Sequence, residues 1–183
     1  MSGEPLIPSA MDVEHLEAIR ESVAEAQRQA IAAHVRPGAV VLDVAPQVHA
    51  GVRPLLPEGV TLETLDLDPA AGATYTADLC RHNPEIPSGR FDCIFCTEVL
   101  EHTLQPFDAA AELRRLLAPG GHLVLTTPFN FRIHGPLPDC WRFTEHGLRA
   151  LLTDFEVVTL DAVETPGRPL MPVHYRTVAR RPA

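Results

Sequence analysis

The chain has 183 residues, 45 % of them hydrophobic, which suits one domain with one substantial core and excludes wholesale disorder. Its formal charge is −9, from 24 acidic and 15 basic residues, and this balance excludes the broad basic face with which nucleic-acid binders neutralise phosphates. No apolar run approaches the roughly 18–20 residues that cross a bilayer, and Met1–Met11 lacks the pattern of a secretory leader. A cytoplasmic protein without nucleic-acid or membrane partners is the expectation.

In chain order, the first element expected is a helix over 12–35. There Val13, Leu16, Ile19, Val23, Ala26 and Ala30 recur three or four apart, and Pro37-Gly38 ends the pattern. Ala39–Val44 is a short continuous apolar run, as a buried parallel strand requires. Thr61–Leu67, Thr74–Ala77 and Phe91–Thr97 read as the second, third and fourth strands. A helix is expected over 107–117, with Phe107, Ala110, Leu113 and Leu117 on one stripe and Pro119-Gly120-Gly121 as its stop. His122–Thr127 forms another buried strand, and Thr144 N-caps a helix carrying Leu148, Leu151 and Leu152. Phe155–Leu160 and His174–Ala179 are the last two strands.

This near-alternation of strand and helix predicts an α/β fold with a doubly wound, mostly parallel, seven-stranded sheet. The last two strands have no helical pattern between them, which predicts an antiparallel edge. No repeat or linker divides the chain, so a single domain over 1–183 is expected, with a helical region at 1–36 and an α/β core at 37–183. Cys93 and Cys96 form a C-x-x-C pair, but an odd separation within a strand sends the two side chains to opposite faces. No metal site is expected.

Three segments, in order and at matching spacing, resemble the class I S-adenosylmethionine-dependent methyltransferases, particularly the small-molecule type 11 group. They are VLDVAPQVHAG (Val41–Gly51), FDCIFCTEVLEHTLQP (Phe91–Pro106) and LLAPGGHLVLTTP (Leu116–Pro128). A further stretch, Pro128–Leu152, is similar to a subgroup that includes enzymes acting on sugars and natural products. The resemblance implies a Rossmann-like fold, S-adenosylmethionine as cofactor, and methyl transfer to a hydroxyl or amine of a small polar metabolite.

In an open parallel sheet, ligands bind beyond the carboxyl ends of the strands. By the resemblance, Asp66 in TLDLDP accepts both ribose hydroxyls with Leu67 beside it; Asp68 is its competitor, and a solvated turn acid is the alternative. Asp78 in ADLC stands where the family holds the adenine amino group, with Leu79 alongside, or else it starts a turn. Asp43 anchors the loop after the first strand, and a carboxylate in so apolar a run needs a partner. Glu98 and Val99 follow the fourth strand and line the methionine portion or the reaction pocket.

The loop after the first strand departs from the family's Asp-x-Gly-x-Gly-x-Gly. Ala45, Gln47 and His49 stand at the three glycine places, Pro46 lacks an N–H, and Gly51 is a displaced flexible point. Glycine serves there because the backbone turns tightly and approaches the ligand closely. Either the loop takes a different path and still holds the cofactor, or the site is occluded.

An alcohol acceptor benefits from a general base with a pKa near neutrality, and histidine is the natural choice. His134 is the first candidate and His102 the second. Phe129, Asp139, Trp141 and Arg142 form the candidate acceptor site, with Arg142 suited to a bidentate hold on a carboxylate or phosphate. The structural alternatives are a turn-capping His102, a core Trp141, and an Arg142 paired with Asp139 or Glu145. The rival function is a non-catalytic methyltransferase-like subunit, working as a homodimer or beside a partner. A nicotinamide-dependent oxidoreductase is disfavoured because no G-x-G-x-x-G follows any expected strand.

Overall fold

The computed structural model describes residues 7–47 and 49–183; residues 1–6, part of the leader reading and of the 1–36 helical region, lie outside the described residues. Helix α1 (Ala10–His34) starts earlier than the apolar pattern because Ser9 and Asp12 close a capping box. Ser9 Oγ accepts from the Asp12 N–H at 3.1 Å, and the Asp12 carboxylate accepts from the Ser9 N–H at 2.8 Å. Its buried stripe is His15, Ile19, Ser22, Ala26 and Ala30, whereas Val13 is exposed. The stripe is displaced because the polar Ser22 is drawn inward to a buried histidine, His174, described below.

Strands β1 (Val40–Val44), β2 (Thr61–Asp66), β3 (Tyr75–Thr76), β4 (Phe91–Thr97), β5 (Leu117–Pro128), β6 (Glu156–Val163) and β7 (His174–Arg180) form one sheet in the order β3-β2-β1-β4-β5-β7-β6. The first five strands in that order pair in parallel, and β7 runs antiparallel to both β5 and β6. This is the Rossmann-like, mostly parallel sheet with an antiparallel edge that the pattern predicts. Strand order reverses between β1 and β4, the place where such sheets open a crevice for ligands.

Two-residue periodicity divides the core. Leu42, Ile94, Cys96, Leu123 and Leu125 pack on one face under α2 (Pro106–Leu116) and α3 (Glu145–Leu151). Val41, Cys93, Phe95 and Val124 pack on the other, under Ala30 and Ile31 of α1. Cys93 and Cys96 thus lie on opposite faces, and burial pushes the Cys93 thiol up to about 12 and the Cys96 thiol up as well, so neither serves as a nucleophile. Thr144 N-caps α3, its Oγ1 accepting from the Gly147 N–H at 3.1 Å.

Three expectations need correction. Phe107 is exposed, and the buried stripe of α2 is Ala109, Ala110, Leu113 and Leu116. Pro119-Gly120-Gly121 does not stop that helix, which ends at Leu116, but lies inside β5. A Cβ at Gly121 would stand 3.0 Å from the Phe91 carbonyl oxygen, so glycine is needed for close approach where the β4–β5 register shifts. Finally, the β1–β2 and β2–β3 crossovers hold only the 3-10 turns Arg53–Leu55 and Pro69–Ala71, so strand and helix alternate only in part. Among the described residues no helix is long and apolar enough to cross a membrane.

Candidate active site

The carboxyl ends of β1 and β2 carry a loop whose backbone is more revealing than its side chains. Ala45 and Gln47, two of the places where the resemblance leads one to expect glycine, both have φ of 53°, in the left-handed region that glycine favours. For other residues this conformation costs roughly 1–2 kcal/mol each. The Gln47 N–H donates to Asp66 Oδ2 at 3.2 Å, and the Asp68 N–H donates to Asp66 Oδ1 at 2.9 Å. Asp68 itself accepts from the Ala70 N–H at 2.8 Å and caps a turn.

Asp43 is buried, and its Oδ2 accepts from the Val52 N–H at 2.9 Å. Burial raises its carboxyl to about 6, against the pull of that amide and of Arg53. Gly51 closes the loop over it: with φ of +55°, a Cβ there would lie 1.9 Å from Asp43 Oδ2. Gln47 and His49 are exposed and border, together with Arg53, Thr64 and Asp66, a cavity of about 150 Å³. They do not fill it. Leu67 is exposed, and Leu79 is buried in the core. Asp78 accepts from the Cys80 N–H at 2.9 Å and pairs with Arg81 at 3.2 Å, as a turn acid does.

The ends of β4 and β5 are built differently. Glu98 has φ of 55°, and its Oε1 accepts from Thr126 Oγ1 at 3.0 Å and lies 2.6 Å from His174 Nε2. His174 is fully buried, with Nδ1 2.8 Å from Ser22 Oγ on α1. Val99 is half-buried against the core. Glu101 is fully buried, and neither carboxylate oxygen has a hydrogen-bond partner. Burial, reinforced by the nearby Glu98 charge, pushes its carboxyl well above the ordinary range.

His102 and His134 come together at Glu101. Each Nε2 is 3.7 Å from Glu101 Oε1, and the two rings meet edge to face at 4.9 Å. His102 Nδ1 is 2.9 Å from the Pro138 carbonyl, and His134 Nδ1 is 3.1 Å from Asp139 Oδ2. Hydrogen bonds from Arg142 hold the Asp139 carboxyl at about 2, with the His134 amide adding to the effect. Arg142 donates to both Asp139 oxygens and to the carbonyls of Phe131, Arg132 and Trp141, which uses all its donors. It ties a loop together, with none left over for an acceptor's anion. The Trp141 indole donates to the Thr103 carbonyl at 2.7 Å and stacks on Phe143; Phe129 meets Tyr175 edge to face.

Of the residues singled out from sequence, His102, His134 and Asp139 thus converge, as do Asp43, Asp66 and the loop. Sequence reasoning missed Glu101, although it lies beside His102 in EVLEH and is a charged residue in an otherwise buried turn. Ser22 and His174 stand 152 residues apart and gave no joint signal.

Residues 16–159 match the family model described as a methyltransferase domain. Among solved structures, the fold is similar to a chain from the Haloferax volcanii complex of the Trm112 methyltransferase activator, at 16 % identity and TM-score 0.68, covering 97 % of this chain and 100 % of that one. It is also similar to the N-methyltransferase NodS of Bradyrhizobium japonicum in complex with S-adenosyl-L-homocysteine, at 18 % identity and TM-score 0.65, covering 90 % and 87 %. At such identities the likeness is one of fold. An uncharacterized 37.1 kDa protein in transposon TN4556 of Streptomyces fradiae is 43 % identical over 47 residues, 26 % of this chain; the match spans only 14 % of that protein's length.

Proposed function

The chain belongs to the methyltransferase-domain family that residues 16–159 match, and from that membership we propose that it moves a methyl group from S-adenosylmethionine to a hydroxyl or amine of a small polar metabolite, such as a sugar or natural-product intermediate. The observation that carries this reading is the left-handed backbone of Ala45 and Gln47. Strain of this kind persists only where its surroundings over-determine it, and it concentrates at ligand sites. The left-handed conformation that glycine favours is thus kept at Ala45 and Gln47 although neither is glycine, which supports a loop that still holds the cofactor.

The residues present suit the cofactor. Asp66 uses one acceptor position on each oxygen for the loop, and the remaining lone pairs are open to the ribose hydroxyls. Asp43 sets the loop and Gly51 lets it close over the carboxylate. Glu98, strained at the end of β4, faces the methionine side. S-adenosylmethionine supplies an electrophilic methyl group when bound there, and the rest is positioning of the acceptor. The carbonyl and carboxylate at Nδ1 of His102 and His134 put the N–H on that side and leave Nε2 basic. His134 Nε2 takes the acceptor's proton, and Asp139 positions the ring.

One observation favours the rival subunit reading. The cavity bordered by Gln47 and His49 is about 150 Å³, against roughly 300 Å³ for the smallest usual ligand pockets. One similar chain also comes from a complex with an activator. Calorimetry with S-adenosylmethionine and S-adenosylhomocysteine separates the two readings. Both ligands are expected to bind, and Asp66→Ala to weaken them about 10- to 100-fold, the worth of hydrogen bonds to a charged acceptor. Folded protein giving no heat with either ligand leaves the subunit reading. His134→Ala is expected to slow turnover about 100-fold with cofactor affinity unchanged.

A further inference from the structure

We propose that Glu101, His102 and His134 form a binding site for a divalent transition-metal ion with an N,N,O donor set. One ligand atom from each residue lies within 4.8 Å of the others. The two Nε2 atoms stand 3.7 Å from Glu101 Oε1, too far for hydrogen bonds. Donors bound at about 2.0–2.2 Å to one tetrahedral ion are separated by roughly 3.3–3.6 Å. The two Nε2–Oε1 spacings lie about 0.1 Å above that range and the third pair lies within 4.8 Å, so a small inward movement of the imidazoles brings all three donors onto one ion.

Two further features point the same way. Glu101 is fully buried, neither of its oxygens has a hydrogen-bond partner, and Oε1 faces both imidazoles; a buried polar group left unsatisfied costs about 1–3 kcal/mol. Both imidazoles are also oriented from behind: the Pro138 carbonyl and Asp139 engage the Nδ1 atoms and turn the Nε2 lone pairs inward. Outer carboxylates and carbonyls hold metal-binding histidines in this manner. Arg142 anchors Asp139 in turn, so the histidine stands on a braced support. Glu98 is engaged by His174 and Thr126 and is not counted as a ligand.

Two neutral imidazoles and one carboxylate suit zinc, cobalt, iron or manganese better than calcium or magnesium. Three protein ligands leave a coordination position open to a small molecule. The site does not depend on the methyl-transfer reading. If both hold, an occupied site makes His134 a ligand rather than a free base.

The test is titration of the chelator-treated, full-length protein with Zn²⁺ and with Co²⁺, followed by calorimetry and by the visible absorption of Co²⁺. One equivalent is expected to bind, with a Co²⁺ spectrum of low coordination number. Glu101→Gln and His134→Ala are expected to weaken binding by at least about 100-fold, and Asp139→Asn, which acts only through His134, by about 10- to 100-fold. Metal-free Glu101→Gln is expected to unfold near the wild-type temperature, because the amide matches the size and shape of the carboxyl it replaces, so lost binding is not misfolding. Absence of stoichiometric binding to wild type overturns the proposal. Equal affinity in Glu101→Gln and His134→Ala also overturns it, and places the ion on other histidines, such as the stacked pair His34 and His122.

Discussion

The two halves of the strand-end surface satisfy their polar groups in opposite ways. On the β1–β2 side each acid has a backbone amide to accept from: Asp43 from Val52, Asp66 from Gln47 and Asp68, Asp78 from Cys80. On the β4–β5 side the polar groups are side chains that converge, and Glu101 has no hydrogen-bond partner at all. On the first side the contacts run through backbone amides, so the left-handed φ of Ala45 and Gln47 matters more to them than the side chains do. Where side-chain atoms converge, identity is everything, and an unanswered carboxylate marks the spot.

The contrast breaks most readily at Gly51. Gly51→Ala forces a Cβ into Asp43 and holds a left-handed φ; a loss of about 3 kcal/mol is expected in denaturant unfolding. Unchanged stability would mean that the loop does not close on Asp43.

Opposite pH slopes sharpen the contrast next. The Asp43 carboxyl is raised from 3.8 to about 6, so the folded state holds its proton more tightly than the unfolded one. Its contribution to stability therefore falls as pH rises from about 4 to about 6, and Asp43→Asn is expected to gain about 2 kcal/mol at pH 7 and flatten that slope. The Asp139 carboxyl is lowered to about 2. Its contribution is present above about pH 4 and lost as pH falls toward about 2, a loss that Asp139→Asn removes. Urea unfolding across this range checks both signs, and one common slope would erase the distinction.

The smallest effect is expected at Gln47. Gln47→Gly relieves the left-handed strain and is expected to add about 1 kcal/mol while the cofactor still binds. Lost binding would show that the glutamine side chain, rather than the backbone, is what the ligand needs.

Much of the sheet was legible because burial on both faces writes itself as continuous apolar runs. Phe91–Thr97 is read to the residue, and the odd spacing of Cys93 and Cys96 placed them on separate faces. Helix faces were less legible. Ser22 sits on the buried side of α1 where it meets His174, and Phe107 is exposed between Pro106 and Ala109 of the true stripe of α2. Pro119-Gly120-Gly121 read as a stop because close backbone approach and chain reversal ask for the same residue. At the site, acids at strand ends followed from topology. The conformations of Ala45 and Gln47 contradict side-chain preference, and Glu101 matters through what surrounds it, so neither was written in local pattern.

The most direct measurement is a crystal structure of the protein soaked with S-adenosylhomocysteine. Adenosine density is expected with both ribose hydroxyls on Asp66 and the amino-acid end passing between the Ala45–Gly51 backbone and Glu98. A well-ordered loop with Asp66 still closed by Gln47 and Asp68 alone, and no ligand density beside it at saturating concentration, contradicts a working methyltransferase.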